Sequence, residues 1–214
     1  IIEDPSLLEC IKKNSYDQFY NEHIYLFSAI SVNSLLKKFN LEIFNIKNLE
    51  THGGSLRYYI KRVINKKITI SRNIKIQIKK EMIFGLHKFS TFKKFSQKVE
   101  KSKVKLLSIL NSLKNKKKLV LGYGATAKAV TILNYCNINN DLICNFVDTT
   151  PEKINRYMPG KNIKILKYNP KILDKYHYVF LGAWNFKKEI LNKEKRFLKN
   201  GGKFITHVPK PKII

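Results

Sequence analysis

Long apolar runs are missing from this 214-residue sequence. No stretch approaches the roughly 18 consecutive apolar residues that a membrane-spanning helix needs, so neither a span nor a membrane partner is expected. Cysteine is scarce as well. Cys10, Cys136 and Cys144 are far apart and form no C-x-x-C pair. That spacing excludes a disulfide framework and a zinc knuckle, leaves no metal site to expect in these residues, and fits a reducing cytoplasm. The opening IIEDPSLLEC lacks a basic segment followed by an apolar one, so it is not a secretory signal. It begins with Ile rather than Met, and the sequence is expected to be part of a longer protein. Acidic residues are few, 15 against 42 Lys and Arg, for a net charge of +27. Arginine, whose planar fork favours phosphate and base edges, occurs only at Arg57, Arg62, Arg72, Arg156 and Arg196. The charge is dispersed lysine, which reads as a solvated coat with weak, non-specific attraction to polyanions, and no specific nucleic-acid partner is expected.

Hydrophobic residues at 43 % and aromatics at 12 % are enough for a packed core. Three segments follow from the patterning. Residues 1–62 contain a helix, SVNSLLKKFN (31–40), and two strand-like runs, LEIFNIKNLE (41–50) and SLRYYIKRV (55–63), parted by the turn THGG (51–54). Two strands and a helix bury too little to stand alone, so this segment reads as the end of an α/β domain. Residues 63–116 form a helical connector, helical from 72, with Phe89, Phe92, Phe95 and Val99, then Leu106, Leu107, Leu110 and Leu113, on an apolar face. In residues 117–214, strands LVLGYG, LICNFVD (142–148), IKILKY (163–168), YHYVFLGA (176–183) and KFITHV (203–208) alternate with helices over 125–136 and 186–198. That alternation predicts a Rossmann-like α/β fold with a doubly wound parallel sheet.

Gly122, Gly124 and Ala127 fit the pattern G-x-G-x-x-G/A between strand and helix. The first glycine permits a tight turn, the second lets a pyrophosphate approach the backbone, and the small third residue lets helix pack on strand. Free N–H groups at the helix start would face an anion. Ala125 and Lys128 are further candidates for phosphate contact, and Asp148 stands where an acid would meet a ribose hydroxyl. A glycine turn with no ligand remains an alternative. Two motifs near the N-terminus also carry chemistry. FYNEHIYLFS (19–28) gathers Tyr20, Glu22, His23 and Tyr25. A histidine is the natural base near neutral pH, and a carboxylate or phenol can orient it. HGGSLR (52–57) puts His52 beside Gly53 and Gly54, where backbone can come close to a ligand, or where a plain hairpin turn is formed.

Five stretches together resemble the C-terminal part of the S-adenosylmethionine-dependent sugar C-methyltransferases: YDQFYNEHIYLFS (16–28), THGGSLRYYI (51–60), GYGATAKAVTILNYC (122–136), FVDTTPEKINRYMPGKNIKI (146–165), and AWNFKKEI (183–190) with GGKFITHVPKP (201–211). Such enzymes methylate a carbon of a nucleotide-linked deoxy-keto-sugar. The resemblance implies a small zinc-binding domain and an S-adenosylmethionine-binding loop upstream of Ile1, with residues 1–62 ending the methyltransferase domain. It also implies a Rossmann-like C-terminal domain that helps hold the nucleotide-diphosphate sugar. The family's catalytic Tyr, Glu and His fall on Tyr20, Glu22 and His23. Asn21 departs from the usual His before the Glu, and Thr126 from the usual Pro in the glycine loop.

C-methylation needs a carbon nucleophile, and a ring ketone supplies one when the adjacent C–H is removed. The expected roles are His23 as base, Glu22 orienting it, and Tyr20 bonded to the developing oxyanion. Gly122, Gly124, Ala125 and Lys128 are expected to grip the diphosphate. Arg156, Trp184 and Asn185 are weaker candidates, since Trp184 equally reads as core and Asn185 as the N-cap of helix 186–198. An NAD-dependent oxidoreductase and a non-catalytic sugar-nucleotide-binding module are the alternative functions.

Overall fold

The computed structural model describes residues 1–214 and divides into two units, Ile1–Lys98 and Val99–Ile214. The first holds β1 (Ile2–Pro5), α1 (Leu7–Lys13), α2 (Ala29–Lys37), β2 (Leu41–Leu49), β3 (Ser55–Arg62), α3 (Arg72–Phe84) and the first turns of α4 (Phe89–Asn115). Its sheet has the order β1-β3-β2, with both pairings antiparallel. Strands β2 and β3 are the two runs read from the sequence, interrupted only by a register shift at Phe44. Ile43, Ile46, Leu56 and Tyr58 of these strands are buried against Ala29, Val32 and Leu36 of α2 and Ile74 of α3. Ser28 caps α2 through a reciprocal pair of bonds with Ser31, satisfying two donors that the helix end leaves bare.

Neither β1 nor α1 stands out in the sequence. Glu3-Asp4-Pro5 has poor strand propensity, but β3 offers a partner in register, Glu3 opposite Arg57 and Asp4 opposite Leu56. Arg57 then grips the Glu3 carboxylate at 2.7 and 3.0 Å. Ser6 caps α1, accepting from the Glu9 N–H, and Asn14 closes it in the left-handed conformation.

The predicted helical stretch from residue 72 is two helices, not one. Gly85, at φ 88°, ends α3, and Thr91 donates to its carbonyl. Phe89, placed on the apolar face by spacing, is 81 % exposed, whereas Val99, Leu106, Leu110 and Leu113 are buried. From α3 the fully buried Glu81 reaches α2. Its two oxygens accept from the Ala29 and Ile30 N–H groups at 2.9 and 3.0 Å, and Gln77 bonds to the same carboxylate.

The second unit continues with β4 (Val120–Tyr123), α5 (Ala127–Tyr135), β5 (Asn145–Asp148), β6 (Lys164–Lys167), β7 (Tyr178–Leu181), α6 (Lys187–Lys193), α7 (Lys195–Lys199), β8 (Lys203–Thr206) and β9 (Lys212–Ile213). The six-stranded sheet runs β6-β5-β4-β7-β8-β9, parallel except for β9. This is the Rossmann-like α/β sheet that the strand–helix alternation predicts, with one addition: KFITHV is followed by a further strand that pairs antiparallel with it. Val120, Leu121, Phe146, Val147, Val179, Phe180, Phe204 and Ile205 are buried, as strands covered on both faces must be. The order reverses between β4 and β7, and there the carboxyl ends of the strands open into a crevice.

The predicted helix 186–198 is also broken, at Glu194. Its side chain turns inward, where it accepts from the hydroxyls of Tyr123 at 2.9 Å and Tyr168 at 2.6 Å. Asn185 is not an N-cap: a single 3-10 turn spans Trp184–Phe186, Phe186 takes the cap position of α6, and no side chain bonds there.

Candidate functional site

Tyr20, Asn21, Glu22 and His23 form one tight turn, closed by the His23 N–H donating to the Tyr20 carbonyl at 2.8 Å. The ends of such a turn meet while its two central residues project from the tip. Tyr20 and His23 accordingly pack edge to face, centroids 4.8 Å apart, and Asn21 and Glu22 are exposed. The carboxylate beside the imidazole is therefore not that of Glu22. It comes from Asp4, at the end of β1, whose Oδ1 lies 3.5 Å from His23 Nδ1. Both side chains are largely covered, 17 % exposed for His23 and 16 % for Asp4. Burial pushes the Asp4 carboxyl above its usual range, against the opposing pull of His23 and of the Phe27 N–H. Burial also raises the Tyr20 phenol, and the charges of Glu22, Asp17 and Asp4 push the same way. A phenol held up in this manner keeps its proton and acts as a hydrogen-bond donor.

The His52-Gly53-Gly54 turn is anchored from several sides. His52 itself is left-handed, φ 54° and ψ 18°, an uncommon backbone state for a residue with a side chain. The buried Gln18 donates to its carbonyl at 2.9 Å, and Lys13 of α1 donates to the Gly53 carbonyl. Gly54 has φ 129°, and a Cβ there would stand 2.9 Å from the Glu9 side chain, so glycine is required. The turn thereby aims a second imidazole at the first, with ring centroids 6.0 Å apart. Tyr20, His23 and His52, drawn from two separate motifs, are thus brought together, and Asp4, Gln18 and Lys13 complete the arrangement. Asp4 carries no signal in the sequence, and only the pairing of β1 with β3 places it. Adjacent strand residues point to opposite faces, so Glu3 and Asp4 could not both serve Arg57.

In the second unit, a cleft of about 370 Å³ opens at the strand-order reversal. Gly124 and Asp148 line it, together with Tyr123, Thr126, Lys153 and Ala183. Gly122, Ala125, Lys128, Arg156, Trp184 and Asn185 are not among its lining residues. Gly122 instead faces Phe146 of β5, where a Cβ would overlap the ring. Gly124, at φ 85°, lies against Ala183, which a Cβ would approach to 2.8 Å. Lys128 is buried with its ammonium 6.0 Å from the Trp184 ring centre, and Arg156 is exposed.

The loop's own donors are largely engaged. Gly124 N–H bonds to the Val147 carbonyl at 2.9 Å, and Ala125 N–H to Asp148 Oδ2 at 2.8 Å. Asp148 Oδ1 accepts from the Thr150 N–H at 2.9 Å. Lys153 bridges the Ala125 carbonyl at 3.0 Å and Asp148 Oδ2 at 3.5 Å. Burial raises the Asp148 carboxyl, but Thr150, Lys153 and the Ala125 N–H together outweigh it and leave the group below its ordinary value. Thr126 is the N-cap of α5, accepting from the Ala129 N–H at 3.1 Å and donating to the Gly182 carbonyl at 3.0 Å. Tyr123 and Tyr168, both on the sheet's carboxyl edge, share Glu194, which is buried. Burial and that carboxylate push the Tyr168 phenol up to about 12.

No group of three or more His, Cys, Asp or Glu is placed to hold a metal, and no helix is long and apolar enough to cross a membrane.

A family model described as the C-methyltransferase C-terminal domain matches residues 50–209. Over 213 residues, all of this chain, the sequence is 28 % identical to the C-methyltransferase NovU of Streptomyces niveus. The alignment covers 50 % of that protein, so the chain spans about half the length of the curated relative it matches.

Proposed function

We propose a function from one premise: the chain belongs to the C-methyltransferase C-terminal domain family. In this reading it is the C-terminal portion of a cytoplasmic, S-adenosylmethionine-dependent enzyme that methylates a carbon of a nucleotide-linked keto-deoxysugar. Residues 1–62 end the methyltransferase domain, 63–116 connect, and 117–214 form the Rossmann-like domain. The observation that carries the reading is the largely covered His23 imidazole, with the Asp4 carboxylate at one nitrogen and the Tyr20 ring packed edge to face with it.

His23 is the base. It removes the proton from the carbon next to the sugar's ketone, and the C–H electron pair moves into the ring bond while the carbonyl oxygen becomes an enolate. Tyr20, kept protonated, donates to that oxygen as its charge grows, which is where a preorganised donor is worth most. S-adenosylmethionine, when bound, supplies the electrophilic methyl group. Its loop, like the zinc domain, belongs upstream of this chain, and none of the residues described above is assigned to either. Glu22, at the turn's tip, acts through its charge on Tyr20 rather than by touching His23. The anchored His52-Gly53-Gly54 turn lines the sugar's side of the site.

The nucleotide-diphosphate handle goes to the cleft bordered by Gly124 and Asp148, where Lys153 and Lys193 supply positive charge. Gly122 and Ala125 shape that loop from behind.

The test is exchange of the sugar's α-hydrogen. With a dTDP-keto-deoxysugar in deuterated water, the protein carrying this chain is expected to wash deuterium into the position next to the ketone, and His23→Ala is expected to stop it. Exchange that persists in the variant removes His23 as the base. Tighter binding of NAD than of the dTDP-sugar would instead favour an oxidoreductase.

A further inference from the structure

Imidazole has two nitrogens, and a base needs the right one bare. Free in water, neutral histidine exists as a mixture of the Nδ1–H and Nε2–H forms, and the hydrogen bond made by one nitrogen decides the state of the other. At His23 the nitrogen facing a carboxylate is Nδ1, 3.5 Å from Asp4 Oδ1. Around the imidazole stand the Tyr20 ring at 4.8 Å and the His52 ring at 6.0 Å from the His23 centroid, and the Phe27 N–H bonds to the Asp4 carboxyl. Asp4 carries an uncompensated burden of its own. Its Oδ2 is buried without a hydrogen-bond partner, a costly state for a carboxylate. Packing alone would be served by an apolar residue opposite Leu56.

We propose that Asp4 is the positioning residue of the site: it holds the proton on His23 Nδ1 and so leaves Nε2 as the basic nitrogen. The inference deepens the proposed function and rests on it, since only a basic His23 needs this orientation. Its logic is that of a Ser-His-Asp triad, in which replacing the carboxylate by an amide costs about 10⁴ in rate because the imidazole takes the wrong tautomer. The position of Asp4 follows from β1. The strand's alternation sends Glu3 to Arg57 and Asp4 to the opposite face, while the Tyr20–His23 turn brings the imidazole to it. When His23 accepts a proton from the sugar, the Asp4 carboxylate then faces an imidazolium, which stabilises the charge that the step creates.

The tautomer can be read directly on the 214-residue chain, with ¹⁵N-labelled histidine and long-range ¹⁵N–¹H correlation, at a pH where imidazole is neutral. His23→Gln identifies the signals. The wild-type chain is expected to show His23 mostly as Nδ1–H, and Asp4→Ala is expected to lower that fraction by about twofold or more, toward the Nε2–H form that free imidazole prefers. If Asp4→Ala does not fold, as judged by circular dichroism, Asp4→Asn provides the same comparison at constant size. A wild-type His23 found mainly as Nε2–H overturns the proposal without any variant, and so does a tautomer unchanged in Asp4→Ala. Neither result depends on catalysis. Failure of the base itself would show separately, as α-hydrogen exchange surviving in His23→Ala while the tautomer still follows Asp4.

Discussion

At the Tyr20–His23 turn, a phenol and an imidazole face each other with a single carboxylate behind them; at the Gly122–Ala125 loop, backbone N–H groups, a carboxylate and a lysine are bonded to one another. The two motifs look equally functional as sequence, yet they spend their polar groups differently. The first unit holds its groups by backbone geometry, through a turn, a left-handed His52 and clamped carbonyls, and leaves the side chains to act. The second uses its groups to hold itself. Asp148 secures the loop it borders, and Gly122 and Gly124 are needed for contact with Phe146 and Ala183 before any ligand enters. A glycine fingerprint therefore has two physical sources, close approach of a ligand and close approach of the protein's own core, and here the second is satisfied within the fold.

Substitutions can break or sharpen this contrast. The largest effect is expected at His23. His23→Ala should lower methyl transfer by about 10²–10⁴, the contribution of a general base, and should lower the melting temperature as well, because the covered Asp4 carboxyl loses its partner; methyl transfer retained in a folded variant would place His23 in the scaffold instead. Gly122→Ala should act through stability. The added methyl must push into Phe146, and overpacking of this kind costs about 1–3 kcal/mol, to be seen as a lowered unfolding midpoint in denaturant. An unshifted midpoint would mean that the ring moves aside freely.

Asp148→Asn should cost less, about 1–2 kcal/mol near neutral pH, because N–H bonds to a charged acceptor are exchanged for bonds to a neutral one. The pH dependence separates it from Gly122→Ala. Asp148 is lowered in the folded state, so its contribution is present above the unfolded carboxyl's titration and fades as pH falls through the folded value. The stability gap between wild type and variant should thus close on acidification, and a gap independent of pH would remove the charge from the explanation. Glu22→Gln should have the smallest effect, less than about tenfold in rate, because Glu22 is exposed and acts only by charge on Tyr20. A larger loss would bring Glu22 into contact with the reacting groups.

Strand–helix alternation made the second unit's sheet legible, since buried parallel strands such as VFL and FI announce themselves by apolar runs and the glycine loop marks the first crossover. The breaks were less visible. Gly85 ends α3 by its left-handed φ, and two phenols draw Glu194 inward and break the helix there, both through contacts that helical periodicity does not record. Tyr20, His23 and His52 could be singled out one by one, but no spacing rule joins residues 23 and 52. Their meeting depends on a tertiary clamp by Gln18 and Lys13. Asp4 was hidden for the same reason, in a strand that exists only because β3 pairs with it.

The reach of Glu81 across to α2 has a practical side. A fragment trimmed after the β2–β3 hairpin would keep every strand of the first sheet, and would seem a sensible piece to express. It would also strip the only buried anion from the first two peptide groups of α2. Such a fragment should lose order at Ala29–Ile30 first, next to the segment that carries His23, and dividing the protein at the end of its hairpin would blunt the region one meant to isolate.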